Sequence, residues 1–317
     1  MIWFVGPAWA RPSSRFMWAA FATTICFALS GVCAHRIAKV LGGVRANFFR
    51  ILLATLLLAA YAHLFGEGWS GGAFGWFFLS GIAGFGLGDV AFYEALPRIG
   101  SRLSVLLVHC LAAPFAATVE WFWLGTPLTS LKILFALVTL AGVVVALAPS
   151  GHLEISRRTF WIGTVCGVIA GVGQGLGVVL SRKAYAVVEL AGHSISPLTA
   201  SYQRILGGLL IAMAVWWVLS LRGSREKNSP LKGEAWPWLL AGTLAGPVLG
   251  VGCYQLALMH HSAGEVLPVV ALTPLVIVPL AQWVEGERPT KRSLLGGVIA
   301  VAGVVGLAWS ASHPAGS

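Results

Sequence analysis

Runs of about twenty apolar residues, broken by short polar segments, fill the chain from Phe16 to Ser310. An α-helix rises 1.5 Å per residue, so roughly 20 residues cross the ~30 Å hydrocarbon core of a bilayer. Each run therefore predicts one crossing. Ten spans are expected, at about 16–38, 46–65, 73–96, 102–123, 131–148, 160–181, 199–221, 236–258, 264–284 and 293–310. The runs are continuous and lack two-residue alternation, which points away from a β-barrel. Most tryptophans, among them Trp18, Trp69, Trp121, Trp161, Trp217, Trp236, Trp283 and Trp309, fall near predicted ends, where an amphipathic ring suits the headgroup level. Met1 to Ala10 is apolar but short and has no basic leader, so it does not read as a cleaved signal peptide.

The pattern occurs twice. Arg50-Ile51-Leu52 opens span two and Arg204-Ile205-Leu206 opens span seven. Gly84, Gly86 and Gly88 in span three are echoed by Gly246, Gly250 and Gly252 in span eight. Pro114 recurs as Pro274, and Ala141-Gly142-Val143-Val144 recurs as Ala302-Gly303-Val304-Val305. The expected organisation is a first five-helix repeat at 16–148, a polar linker at 149–159 and a second repeat at 160–310. Internal repeats of membrane segments mark secondary transporters, whose substrate site lies between the repeats.

Composition closes off other classes. Residues are 57% hydrophobic and 10% charged, against about 25% charged in a soluble domain. The net charge of +10 is spread over span ends and forms no patch or tail, so no nucleic-acid partner is expected. Ten spans put both termini on one side. Arg36, Lys39, Arg45, Arg98, Arg102, Arg157, Arg158, Arg222, Arg225, Lys227, Lys232, Arg288, Lys291 and Arg292 crowd the opposite loops, which favours termini outside the cytoplasm. The five cysteines (Cys26, Cys33, Cys110, Cys166, Cys253) all lie in apolar runs without a C-x-x-C pair and read as packing residues. No cofactor and no metal are expected.

From Met17 to Trp309 the chain resembles the drug/metabolite transporter superfamily, and within it the EamA-type group. The resemblance rests on the five-plus-five layout, on Arg50 and Arg204, and on the glycine-rich third spans ending in Ala95-Leu96 and Ala257-Leu258. It also rests on the mid-helix prolines, the closing Ala-Gly-Val-Val helices and the polar turn Glu285-Gly286-Glu287-Arg288-Pro289-Thr290. In the first half that turn has drifted to Leu124-Gly125-Thr126-Pro127-Leu128-Thr129 and lacks the acid. The resemblance implies inverted repeats, alternating access to a central cavity, a wide range of substrates and cytoplasmic termini, the last against the charge bias.

Several residues sit where chemistry would be needed. A carboxylate at mid-membrane costs about 2.5–3.5 kcal/mol on insertion scales, so Asp89 must be paired, protonated or wetted. Tyr93 shares its face, whereas Glu94 points about 140° away and nearer the span end. Arg102, His109 and Glu120 form one stripe on span four, and His109 offers a proton relay or a hydrogen bond. Glu265, Pro268, Pro274 and Pro279 make span nine the expected pointer to the site, because each proline frees a carbonyl one turn earlier. Gln174, Tyr254 and Gln255 are further substrate-binding candidates. Arg50 and Arg204 lie about one turn inside their helices, either snorkelling to set helix depth or making an ion pair or an anion contact. Gly163, Gly167, Gly171 and Gly175 share one face, for close helix packing or for a sliding surface. His260-His261 reads as a solvated loop pair.

The expectation is an all-α polytopic membrane protein, not an enzyme, that exports a small metabolite or drug-like solute by alternating access. Spans three, four, eight and nine, with one and six, should line the cavity. Protons are the candidate coupling ion, through Asp89, Glu94, His109 or Glu265. The bacterial inner membrane is the expected location, as monomer or homodimer. An intramembrane protease would need a His-Glu-x-x-His signature, which does not occur, or a Gly-x-Ser-x-Gly nucleophile with a partner histidine; the match in letters, Gly68-Trp69-Ser70-Gly71-Gly72, falls between spans two and three and not inside a span. A channel would differ by non-saturating flux.

Overall fold

The computed structural model describes residues 16–124, 129–147, 156–222, 233, 235–261, 263–286 and 289–312. Met1 to Ala10, the middle of the Leu124–Thr129 turn, most of the linker, Glu287-Arg288 and nearly all of the polar stretch from Arg222 to Glu234 lie outside them. The described chain is helical: α1 (Met17–Leu41), α2 (Gly43–Leu64), α3 (Phe74–Gly81), α4 (Asp89–Leu124), α5 (Ser130–Leu147) and α6 (Arg157–Leu190) come first. They are followed by α7 (Pro197–Leu221), α8 (Ala235–Thr243), α9 (Val251–His260), α10 (Ala263–Val270), α11 (Thr273–Glu285) and α12 (Lys291–Ser312). Two π-helical segments, Ile82–Gly88 and Leu244–Gly250, join α3 to α4 and α8 to α9.

Nine of these helical stretches are long and apolar enough to cross a membrane among the described residues, where ten crossings were predicted. The difference lies in Phe74–Trp123, a single 50-residue stretch holding spans three and four. At 1.5 Å per residue it would be about 75 Å long, more than twice the hydrocarbon core. It breaks at Gly100, whose φ of 80° and ψ of 167° are non-helical. That backbone region is essentially open to glycine alone, so the two predicted spans are real but joined by a one-residue corner. Other boundaries have ordinary causes. Ser156 and Ser196 cap α6 and α7 by accepting from the backbone N–H of Thr159 (3.1 Å) and Thr199 (3.3 Å), and Gly286 ends α11 in the left-handed region.

Small residues set the packing. Between α5 and α12, Gly142 lies against Ala300, Gly296 against Ala146 and Gly303 against Thr139, so these corresponding helices of the two halves run antiparallel. The stripe Gly163, Gly167, Gly171 and Gly175 on α6 rests on Ile99, Leu107, Leu111 and Ala112 of α4. With no hydrophobic drive between helices in lipid, such close backbone approach supplies the van der Waals contact. Large apolar side chains such as Phe21, Ile25, Leu137, Val144 and Leu295 face outward, as a lipid-facing surface requires.

Candidate functional site

A cavity of about 50 Å³ lies in the middle of the bundle, room for a few waters. Phe27, Ser30 and Gly31 of α1, Arg50 of α2, and Phe85 and Gly88 of the first π segment line it. Asp89, Phe92, Val105, Val108 and His109 of α4, Gln174 of α6, Gly246 and Pro247 of the second π segment and Val251 of α9 complete the wall. Both halves contribute. The π segments bring their backbones to the cavity and hold them there by glycine contacts. A Cβ on Gly173 would stand 2.6 Å from the Ala83 carbonyl, and one on Gly246 would stand 3.1 Å from Arg50 Nη1 and closer still to Ser30. Wide π turns inside α-helices recur at functional sites.

Two buried guanidiniums flank the cavity. Arg50, 5% exposed, pairs with the Asp89 carboxylate, donates to Asn47 Oδ1 at 3.2 Å and lies over the Tyr93 ring at 4.9 Å. Arg204, 2% exposed, donates to Gln255 Oε1 at 3.1 Å and lies 5.4 Å from the centre of the Phe85 ring. The environments correspond: aligning Gly84 with Gly246 puts Asp89 opposite Val251 and Tyr93 opposite Gln255. The second half therefore keeps the arginine and replaces its counter-ion with valine. Neither arginine snorkels, which corrects one of the two expectations for them; each turns inward because a partner, polar or aromatic, waits at the centre.

The sequence-selected residues separate into groups. Asp89, His109, Gln174 and Arg50 meet at the cavity, with His109 stacked on Phe27 at 5.4 Å. Tyr93 lies under the Arg50 guanidinium, Gln255 accepts from Arg204, and Tyr254 meets Phe27 edge-on at 5.9 Å. Glu94 pairs with Arg98 at 2.6 Å near the span end. The stripe Arg102, His109, Glu120 shares a direction but not a place: 18 residues extend about 27 Å along a helix. Arg102 instead meets Ser293 and, with Pro274, lines a separate small crevice.

Span nine does not line the cavity, contrary to expectation. Its break between α10 and α11 leaves carbonyls that buried hydroxyls satisfy: Val269 accepts from Thr24 (2.8 Å) and Val270 from Thr273 (2.5 Å). Glu265, with its side chain 43% exposed and 3.4 Å from His261, does not line the cavity. His261 is 2% exposed, not solvated, because its carbonyl and that of Leu258 accept from Arg182 at 3.1 and 2.9 Å. Inside α4 the Pro114 carbonyl accepts from the Thr118 hydroxyl at 2.8 Å. Sequence reasoning missed Phe27, Ser30, Asn47 and Phe85. Phe85 had a signal, since it lies between the repeated glycines.

The chain matches the model of the EamA-like transporter family over residues 15–148 and 161–309. Similar proteins include one named as the probable 4-amino-4-deoxy-L-arabinose-phosphoundecaprenol flippase subunit ArnE of Pseudomonas paraeruginosa, 35% identical over 69 residues, 22% of this chain. The protein of the same name from Pseudomonas aeruginosa is 37% identical over 76 residues, 24% of this chain. The chain spans 57% and 64% of the length of these two relatives. A solved crystal structure of a protein 14% identical shares the fold, with a TM-score of 0.65 over 96% of this chain and 99% of that one. Matched by the family model across both halves, this chain belongs to the EamA-like transporter family of the drug/metabolite superfamily and is an integral membrane protein.

Proposed function

We propose that the protein is a secondary active transporter, without a catalytic step, that exports a small solute across the bacterial inner membrane by alternating access. The two repeats, 16–148 and 160–310, rock about the central cavity, and one chain supplies both halves of it. The supporting observation is a charged cavity, built by both halves, inside an otherwise apolar bundle. Burying charge there is expensive unless it serves a pathway. Asp89 is the candidate coupling group: protonation removes its charge and releases Arg50. His109 and Gln174 are the neutral groups that contact the solute.

The test is counterflow in proteoliposomes holding the purified full chain. Saturable exchange that an imposed proton gradient drives, and that Asp89→Asn uncouples, is the expected result. Flux that rises without saturation identifies a channel instead. Similarity to the two flippase subunits favours a second reading, in which the cargo is a lipid-linked sugar phosphate moved between leaflets. A fluorescent lipid-flipping assay in the same vesicles distinguishes the two.

A further inference from the structure

One carboxylate serves two guanidiniums at the centre of the molecule. Asp89 pairs with Arg50 and lies within electrostatic reach of Arg204 as well. Among the described residues no carboxylate pairs with Arg204, whose Nε has no hydrogen-bond partner although the side chain is 2% exposed. Four other buried donors lack an acceptor: Asn47 Nδ2, Arg50 Nε and Tyr93 OH in the group around Arg50, and Gln255 Nε2 beside Arg204. Native proteins rarely leave buried donors unmade, and each such group asks for an explanation. Here the shortage is of acceptors and of one negative charge.

Arg204 does not line the cavity itself but lies against residues that do. Phe85, whose ring it covers, lines the cavity. Gln174 lines it too, and its Oε1 and Arg204 Nη2 both lie 3.3 Å from where a Cβ on Gly84 would be. Moving the Phe85 ring aside opens the guanidinium to the cavity. We infer that the cargo carries an oxyanion, a phosphate or a carboxylate, which occupies the place left by the missing second carboxylate and pairs with Arg204. This rests on the transport reading for its location but names a chemistry that reading leaves open. A guanidinium presents its donors in a fork that matches an oxyanion, and Val251 marks where the protein's own acid is lacking.

Binding to the purified full chain in nanodiscs tests it, with inorganic phosphate, glycerol 3-phosphate and a long-chain polyprenyl phosphate as probes. Glycerol, the polyprenol and spermidine are the uncharged and cationic counterparts. The anionic probes should raise the unfolding temperature and their counterparts should not. A response to the soluble phosphates assigns an aqueous cargo, and a response to the polyprenyl phosphate alone assigns a lipid one; both support the oxyanion. Arg204→Gln should weaken the responding probe by about tenfold to a hundredfold, the size of one charge-assisted contact. Val251→Asp, which supplies the internal acid without touching Arg204, should do the same, so a misfolded Arg204 variant would not hide the effect. Equal binding of uncharged or cationic probes, no response to any anion, or anion binding that survives Val251→Asp would each overturn the inference. Counterflow of the bound probe separates the two proposals. Binding without exchange removes transport and leaves the oxyanion site, whereas exchange of neutral solutes indifferent to both substitutions does the reverse.

Discussion

Arg50 and Asp89 hold each other in place where neither survives alone. Removing one partner of a buried pair costs about 3–5 kcal/mol, while replacing both with apolar groups is often close to neutral. Asp89→Leu and Arg50→Met should therefore each lower the unfolding temperature, and the double variant should lose much less than their sum. A strictly additive result in a double-mutant cycle would show that the two side chains do not depend on each other. A second residue makes a prediction outside the membrane. Partial burial raises the pKa of Glu67, in the loop after α2, but hydrogen bonds from the Ser196 N–H (3.0 Å) and from the Thr199 and Ser196 hydroxyls outweigh it. The net result lies below the ordinary 4.5. A depressed folded pKa contributes stability that is complete above the unfolded value and fades as pH falls through the folded one. As pH falls from the unfolded carboxylate value of about 4.3 through the lower folded one, the wild type should lose stability faster than Glu67→Gln. Parallel unfolding curves against pH would contradict this.

At the level of helices, glycines separate into those that touch a neighbour and those that do not. A Cβ at Gly175 would stand 2.7 Å from the Ala112 carbonyl, so α6 and α4 must move apart to admit it. Gly175→Ala should cost about 1–3 kcal/mol, the usual range for overpacking. Gly75, with nothing within 4 Å of the same position, should accept alanine without loss. Gly100→Ala should cost a similar 1–3 kcal/mol or so, through backbone strain alone. Thermal unfolding of the three variants in detergent checks the order. The spans and the shared face of the α6 glycines were legible because hydropathy and a four-residue period are local properties. The Gly100 corner was not, since a single glycine between two helices does not announce its φ. Span nine misled for a related reason. Proline shows which carbonyls are freed, but not that the carbonyl freed by Pro274, that of Val270, turns to the Thr273 hydroxyl while its neighbour Val269 takes that of Thr24 from far off in the chain. Asp89, His109 and Gln174 stood out as polar atoms in apolar runs, whereas Phe27 and Phe85 were hidden among the many aromatics that a bilayer protein carries anyway.

At the scale of the whole molecule, each end of the bundle has its own set of ties between the halves. At one end, His35 of α1 lies 2.6 Å from Glu285 of α11, both side chains buried, and Arg36 donates to the Val284 carbonyl. At the other, His63 meets Tyr202 at 3.1 Å, and Gln203 donates to the carbonyls of Gly68 and Ser70 at 3.0 and 2.8 Å. A molecule that opens alternately must release one set at a time. His35→Cys with Glu285→Cys, joined by a short bifunctional thiol reagent in a background without the native cysteines, should stop counterflow until the link is reduced. Undiminished exchange through the linked protein would rule out movement at that end.

The valine opposite Asp89 bears on symmetry. An assembly of two identical first halves would carry two acids and two arginines, electrically balanced and closed to an anion. Two halves joined in one chain can differ at a single matched position, as Asp89 and Val251 do, which no assembly of identical halves can. A chimera in which the first half is repeated should thus fold more readily than it transports, because each arginine then has an acid of its own.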